Sequence, residues 1–190
     1  DWEKREKLLQ KLCDKYRKND GSYDVLIPGS GGKDSGFQSH LLKYKYGMNP
    51  LTVTWSPHLY TDIGWKNFRN WIHVGGFDNI LYTPNGKLHR LLTRLAFKNL
   101  LHPFQPFIFG QKQIGPTMAS KFGIKLVMYG ETGAEYGNKG DENKIPTMDL
   151  KYYSYDQDIL ELTLGGMKIK EIIKKYGFEL KDFIPYLPMT

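Results

Sequence analysis

Apolar side chains recur along this chain in two rhythms that trade places at short intervals. Over residues 2–18, Leu8, Leu9, Leu12, Cys13 and Tyr16 fall three and four apart, the spacing of one helix face. Asn19-Asp20-Gly21 ends that pattern. Residues 23–27 form a short apolar run of strand type, followed by a glycine-rich stretch. Phe37, His40, Leu41 and Tyr44 then mark one face of a second helix that stops near Gly47. Residues 51–55 read as a strand. Trp65, Phe68, Trp71 and Ile72 predict a helix over 65–74, with Gly75-Gly76 as its stop. Residues 79–82 read as strand, 88–101 and 110–122 as helices, and 124–129 as strand. Beyond that point 138–155 has the polar, turn-rich character of a long loop, and 159–177 suggests two short basic helices.

Strands that alternate with helices imply parallel βαβ units: an α/β fold whose parallel, twisted sheet carries helices on both faces. In such sheets ligands bind beyond the carboxyl ends of the strands. Three unusual segments are expected there, 28–35, 54–62 and 130–138, and their convergence points to one shared site.

Composition narrows the partners. The chain has 190 residues, 40% apolar and 25% charged, which suits a single globular domain over 1–190. No apolar run approaches the roughly 20 residues that span a bilayer, and the charged first segment is no signal peptide. A single cysteine, Cys13, leaves no disulfide framework and no paired-cysteine metal site, which fits a reducing, cytoplasmic setting. The net charge of +7 suits anionic partners such as nucleotides. Its lysines are spread along the chain as on solvated helix faces, so nucleic acid is not expected. The chain opens on Asp1 without Met and stops at Thr190, and a piece of a longer protein is expected.

The chemistry concentrates in Pro28-Gly29-Ser30-Gly31-Gly32-Lys33-Asp34-Ser35. Glycines let a backbone approach phosphate without a Cβ in the way. The helix that follows turns its unpaired N–H groups and positive dipole end toward the loop, which makes an anion site. Ser30 and Ser35 add hydroxyl donors, and Lys33 can neutralise charge on a departing oxygen. Asp34 makes sense if Mg²⁺ rides on the phosphates and takes a carboxylate ligand. Competing motifs fail letter by letter. A Walker loop needs Gly at Ile27 and Ser or Thr at Asp34, and a dinucleotide fingerprint from Gly29 needs Gly at Asp34. A nucleophile elbow around Ser30 needs Gly at Pro28.

SGGKDS after an apolar strand resembles the PP-loop of the ATP pyrophosphatase superfamily, whose fold is the adenine nucleotide alpha-hydrolase type. Three further segments are similar to the N-acetyl sugar amidotransferase family of bacterial surface-polysaccharide and flagellin-glycan synthesis: 54–64 (TWSPHLYTDIG), 103–112 (PFQPFIFGQK) and 130–138 (GETGAEYGN). The resemblance implies an enzyme that uses ATP with Mg²⁺. The oxygen of an acetamido group on a sugar or sugar nucleotide attacks the α-phosphorus and releases pyrophosphate, and ammonia then displaces AMP to leave an acetamidino group. It also implies partners: a glutaminase subunit that supplies ammonia, and a cyclase-like channel subunit. The family's cysteine-rich, zinc-binding segment has no counterpart here, so no zinc is assigned. Two other readings stay open: a PP-loop enzyme that modifies tRNA, and a nucleotide-binding module without catalysis.

Individual residues divide accordingly. Residues 28–35, Thr54, Trp55 and Gly130 are expected to hold ATP, with Trp55 equally at home as a core aromatic at a strand end. Lys33, Asp34, Glu131 and Glu135 are the catalytic candidates; the two glutamates flank a glycine turn and could hold Mg²⁺, orient ammonia or grip sugar hydroxyls. Gln105, Gln111, Tyr136 and Asn138 are candidates for the sugar: the uncharged amides at 105 and 111 suit sugar hydroxyls or an amide substrate, or equally a structural hydrogen bond, and Tyr136 and Asn138 follow the two glutamates. His58 and Asp62 could touch phosphate, metal or sugar, or be ordinary surface groups.

Overall fold

The computed structural model describes residues 1–131, 147 and 158–188. The elements in chain order are α1 (Trp2–Tyr16), β1 (Val25–Pro28), α2 (Lys33–His40), β2 (Pro50–Trp55), α3 (Asp62–His73), β3 (Asp78–Tyr82), α4 (Gly86–Leu100), α5 (Gln105–Lys121) and β4 (Leu126–Val127). They are followed by β5 (Thr163–Leu164), β6 (Met167–Lys168), α6 (Ile169–Tyr176) and α7 (Leu180–Phe183). The chain divides into two compact units. One comprises Asp1–Thr54, His58–Leu81 and Met118–Pro146, the other Trp55–Pro57, Tyr82–Thr117 and Thr147–Thr190.

The first unit carries a four-stranded parallel sheet of order β3-β2-β1-β4, flanked by helices. β1 pairs with β2 from Val25↔Pro50 to Pro28↔Val53, and with β4 at Val25↔Leu126 and Leu26↔Val127. β2 is buried at all six positions, and β1 at its first three, as expected of interior strands covered on both faces. α1 starts where the Asp1 carboxylate accepts from Lys4 N, with Glu3 in the first turn and Lys15 in the last, each favourable to the helix dipole. Its Leu9, Leu12, Cys13 and Tyr16 pack against Val25, Ile27 and Leu126. Burial pushes the Cys13 thiol above its ordinary pKa. The buried Asp24 carboxylate accepts from Lys18 N at 2.6 Å and from Asn49 N at 2.8 Å, which fixes the starts of β1 and β2 relative to one another.

In the second unit Asn85 caps α4 by accepting from Lys87 N and Leu88 N. The face with Leu88, His89, Leu92, Leu95 and Ala96 is buried. The β5–β6 hairpin turns through Gly165 and Gly166, both at positive φ, and Gly165 lies close enough to α4 that a Cβ there would meet Leu95 Cβ at 2.9 Å. Ile169, Ile172, Phe183 and Tyr186 are buried.

The alternation of strands and helices read from sequence is present, with local corrections. Residues 159–168 form a 3₁₀ turn and a hairpin rather than a first basic helix, because Gly165-Gly166 adopt left-handed dihedrals and a helix begins only after them. α5 starts at Gln105 and not at 110. Pro106 sits in its first turn, where a missing N–H is harmless. α3 starts at Asp62 because Thr61 caps it through Gly64 N. Phe37 and Tyr44 are 66% and 56% exposed, whereas Ser39 and Leu42 are buried. The helix becomes a π-turn over Leu41–Lys45, so a 3.6-residue period does not carry across it. No described helix is long and apolar enough to cross a membrane.

Candidate functional site

With order β3-β2-β1-β4, the chain runs outward from β1 through β2 to β3 and then returns to the other side of β1. The carboxyl ends of β1 and β4 therefore flank the switch point, where open α/β sheets form their binding crevice. The segment after β1 is the glycine loop, and that after β4 carries Gly130 and Glu131. The two meet: a Cβ on Gly130 would lie 3.0 Å from the carbonyl carbon of Asp34.

The start of the loop is held tightly. Gly29 donates its N–H to Val53 O at 2.9 Å and accepts at its carbonyl from the Thr54 hydroxyl at 2.7 Å. Asn79 Nδ2 donates in turn to Thr54 Oγ1 and Thr52 Oγ1, and Thr52 donates to Asp78 O. A Cβ on Gly29 would sit 2.5 Å from Ser35 Cβ. Gly31, at φ +80°, lies against α3, where a Cβ would be 2.7 Å from Phe68 Cα. Behind them Trp71 Nε1 donates to Ser39 Oγ at 2.7 Å, tying α3 to α2.

Its far end is open. Gly32 is the N-cap of α2 with no side-chain cap, and nothing lies within 4 Å of where its Cβ would be. The amides of Ser30, Gly31, Gly32 and Asp34 donate to no acceptor among the described residues. Lys33 Nζ reaches the Asp34 carboxylate at 2.7 Å, with the two side chains 88% and 50% exposed. Such amides at a helix start, with an exposed cation beside them, can receive a polyanion such as a triphosphate. Among the described residues, no three His, Cys, Asp or Glu side chains group to hold a metal ion by themselves. Mg²⁺ would fit only as a phosphate-borne ion with Asp34 as a protein ligand, the usual manner for that cation.

Other candidates fall in different places. Thr54 is buried and uses its hydroxyl on Gly29, so it positions the loop. His58 follows β2, with its pKa pushed below the ordinary value by burial. Asp62 lies on the face of α3 shared by Trp65, Lys66 and Arg69. Glu131 is exposed beside Gly130. Glu135, Tyr136 and Asn138 lie outside the described residues.

The second unit holds the rest. Trp55 is buried, stacked on Tyr82 at 5.2 Å and edge-on to Tyr186 at 5.4 Å, with Gly110 so close that a Cβ would overlap its ring. His89 Nδ1 and the Tyr186 hydroxyl are 2.8 Å apart, and burial raises the Tyr186 pKa strongly. Gln105 accepts from Gly165 N at 2.9 Å, a structural use of its amide, and Gln111 is exposed. Burial lowers the Lys112 pKa.

Sequence reasoning passed over three polar groups. Gln38 stands one turn after Asp34 with both amide atoms buried and unpartnered, beside Gly130. Its spacing of four from Asp34 was visible. Gln113 is 1% exposed with Nε2 unpartnered. Asn79, the sole polar residue of its apolar run, anchors the Thr54 relay. No protein-family model matches the chain, and no curated protein matches it.

Proposed function

We propose that this chain is the ATP-activating part of an amidotransferase of the N-acetyl sugar type, built on a PP-loop. The observation that carries the reading is the cradle at the β1–α2 junction, where Gly29 and Gly31 admit no side chain and the amides of Ser30, Gly31, Gly32 and Asp34 meet no acceptor among the described residues. The SGGKDS pattern and the three flanking segments supply the choice of family.

The β- and γ-phosphates of ATP would sit on the amides of residues 30–34, with Lys33 swinging from Asp34 onto the leaving oxygens. Asp34, released from that pair, would share Mg²⁺ with the phosphates, and the ion would neutralise charge on the departing pyrophosphate. The acetamido oxygen of the sugar attacks the α-phosphorus, forming a C–O–P linkage as the α–β phosphoanhydride breaks. Ammonia from a partner glutaminase adds to the imidate carbon, AMP leaves with that oxygen, and an acetamidino group remains. Glu131, next to Gly130, would take a proton from the incoming ammonia.

Incubation of the chain with ATP, Mg²⁺, an acetamido sugar and ammonium tests the reading. We expect AMP and pyrophosphate in equal amounts, dependent on sugar. Release of ADP and phosphate would contradict it.

A further inference from the structure

The second unit carries a surface that the proposed chemistry does not use. Between Asp78 and Glu131 the sequence has no acidic residue at all. Within that stretch Lys87, Arg90, Arg94 and Lys98 recur at three and four along α4, a cationic stripe down one side of the helix. Where α4 meets the β5–β6 turn and the end of α6, a groove of about 420 Å³ opens, lined by the cations Arg94, Lys98 and Lys175 together with the apolar Leu91 and Met167 and the ring of Tyr176. Neighbouring Lys168 and Lys170 are neutralised by Glu161, whereas the three groove cations have no acidic partner among the described residues. Lys98 and Lys175 stand in last turns, where a cation also complements the helix dipole. Arg94, a turn earlier, has no such use.

A second observation adjoins the first. Leu101 ends α4 at φ +55°, and among the described residues it is the one non-glycine at positive φ. Its side chain is 81% exposed, and Leu100 beside it lies against Gly166 at the groove edge. A left-handed C-terminal position favours Gly. The backbone conformation closes α4, with the Leu101 N–H donating to the Ala96 and Phe97 carbonyls, but that job needs no leucine side chain, and the one present is left in water.

We propose that this groove and its leucine shoulder dock an acidic, amphipathic segment of a partner protein. Carboxylates would meet Arg94, Lys98 and Lys175, and apolar anchors would cover Leu91, Met167 and Leu101. A groove lined by three cations and by apolar side chains, with no carboxylate among its lining residues, is the complement of such a segment. A nucleic-acid backbone would use the cations and leave the apolar lining uncovered. The inference is independent of the ATP chemistry.

Selection of short random peptides displayed on phage against the full chain tests it, followed by fluorescence anisotropy of the strongest binder. Enriched sequences should combine Leu or Phe with Asp or Glu. The double variant Arg94→Glu, Lys98→Glu should weaken the best peptide by about tenfold or more, and added salt should weaken it too. A version of the peptide with its acids changed to Lys should regain binding to that variant. Leu101→Gly separates docking from folding: glycine suits the dihedral, so the thermal midpoint holds or rises while affinity falls. Peptides without acidic bias, or binding that survives both variants, would overturn the proposal. So would a short single-stranded RNA that binds more tightly than the best peptide and is lost in the double variant.

Discussion

Gly29 and Gly32 stand three residues apart in one loop and are glycine for opposite reasons. Gly29 is enclosed: its N–H and carbonyl are both engaged, and Ser35 and Trp71 fill the space where a side chain would go. Gly32 faces open space and caps a helix without a side chain, and its own amide and that of Asp34 meet no acceptor among the described residues. The contrast separates the part of the loop that must not move from the part that must remain available. It follows that substitutions at the enclosed end should act on folding and binding together, and substitutions at the open end should cost little stability, whatever they do to binding or turnover.

The largest effect is expected at Gly31. An alanine there meets the α3 backbone at Phe68 and must adopt φ +80°, which together cost about 2–4 kcal/mol. Urea unfolding should register that loss, and nucleotide titration should show no saturation. Lys33→Met should behave oppositely. Its side chain is exposed, so stability should stay within about 0.5 kcal/mol of the parent, while pyrophosphate release slows by about 10²–10³-fold.

Thr54→Val sharpens the enclosed end. It leaves the Gly29 carbonyl without its donor and one Asn79 contact unmade, a loss of about 1–3 kcal/mol by thermal or urea unfolding. His58 gives a pH signature. Burial favours its neutral form, so the unfolded chain takes up the proton more readily. Stability should be level above the ordinary histidine pKa of 6.5 and fall as pH drops through it, and His58→Gln should flatten that decline. Gly32→Ala is the smallest: with φ −70° and free space, it should cost at most about 1 kcal/mol, the difference between Gly and Ala at an N-cap.

The loop was legible in sequence because its chemistry is local: glycines, hydroxyls and a lysine between an apolar run and a helix need no distant partner to be understood. The parallel sheet was legible for a similar reason: residues 25–27 are a continuous apolar run, and 51–55 combine apolar residues with β-branched threonines, both of strand type. What holds the loop was not legible. Asn79 lies fifty residues from Gly29 in sequence and reaches it through Thr54, a relay that exists only once β3, β2 and β1 lie side by side. In sequence the amides at 105 and 111 look alike, yet α5 turns Gln105 toward Gly165, leaves Gln111 in water and buries Gln113 instead. Helical phase decides that, and the phase depended on a helix start at Gln105 that the prolines concealed.

The most direct test of the cradle is residue-resolved. In ¹⁵N-labelled chain titrated with ATP and Mg²⁺, and separately with pyrophosphate, the amide signals of Gly31, Gly32, Lys33 and Asp34 should shift most, with Gly130 moving alongside. Saturation by either ligand with those amides unmoved would contradict the account.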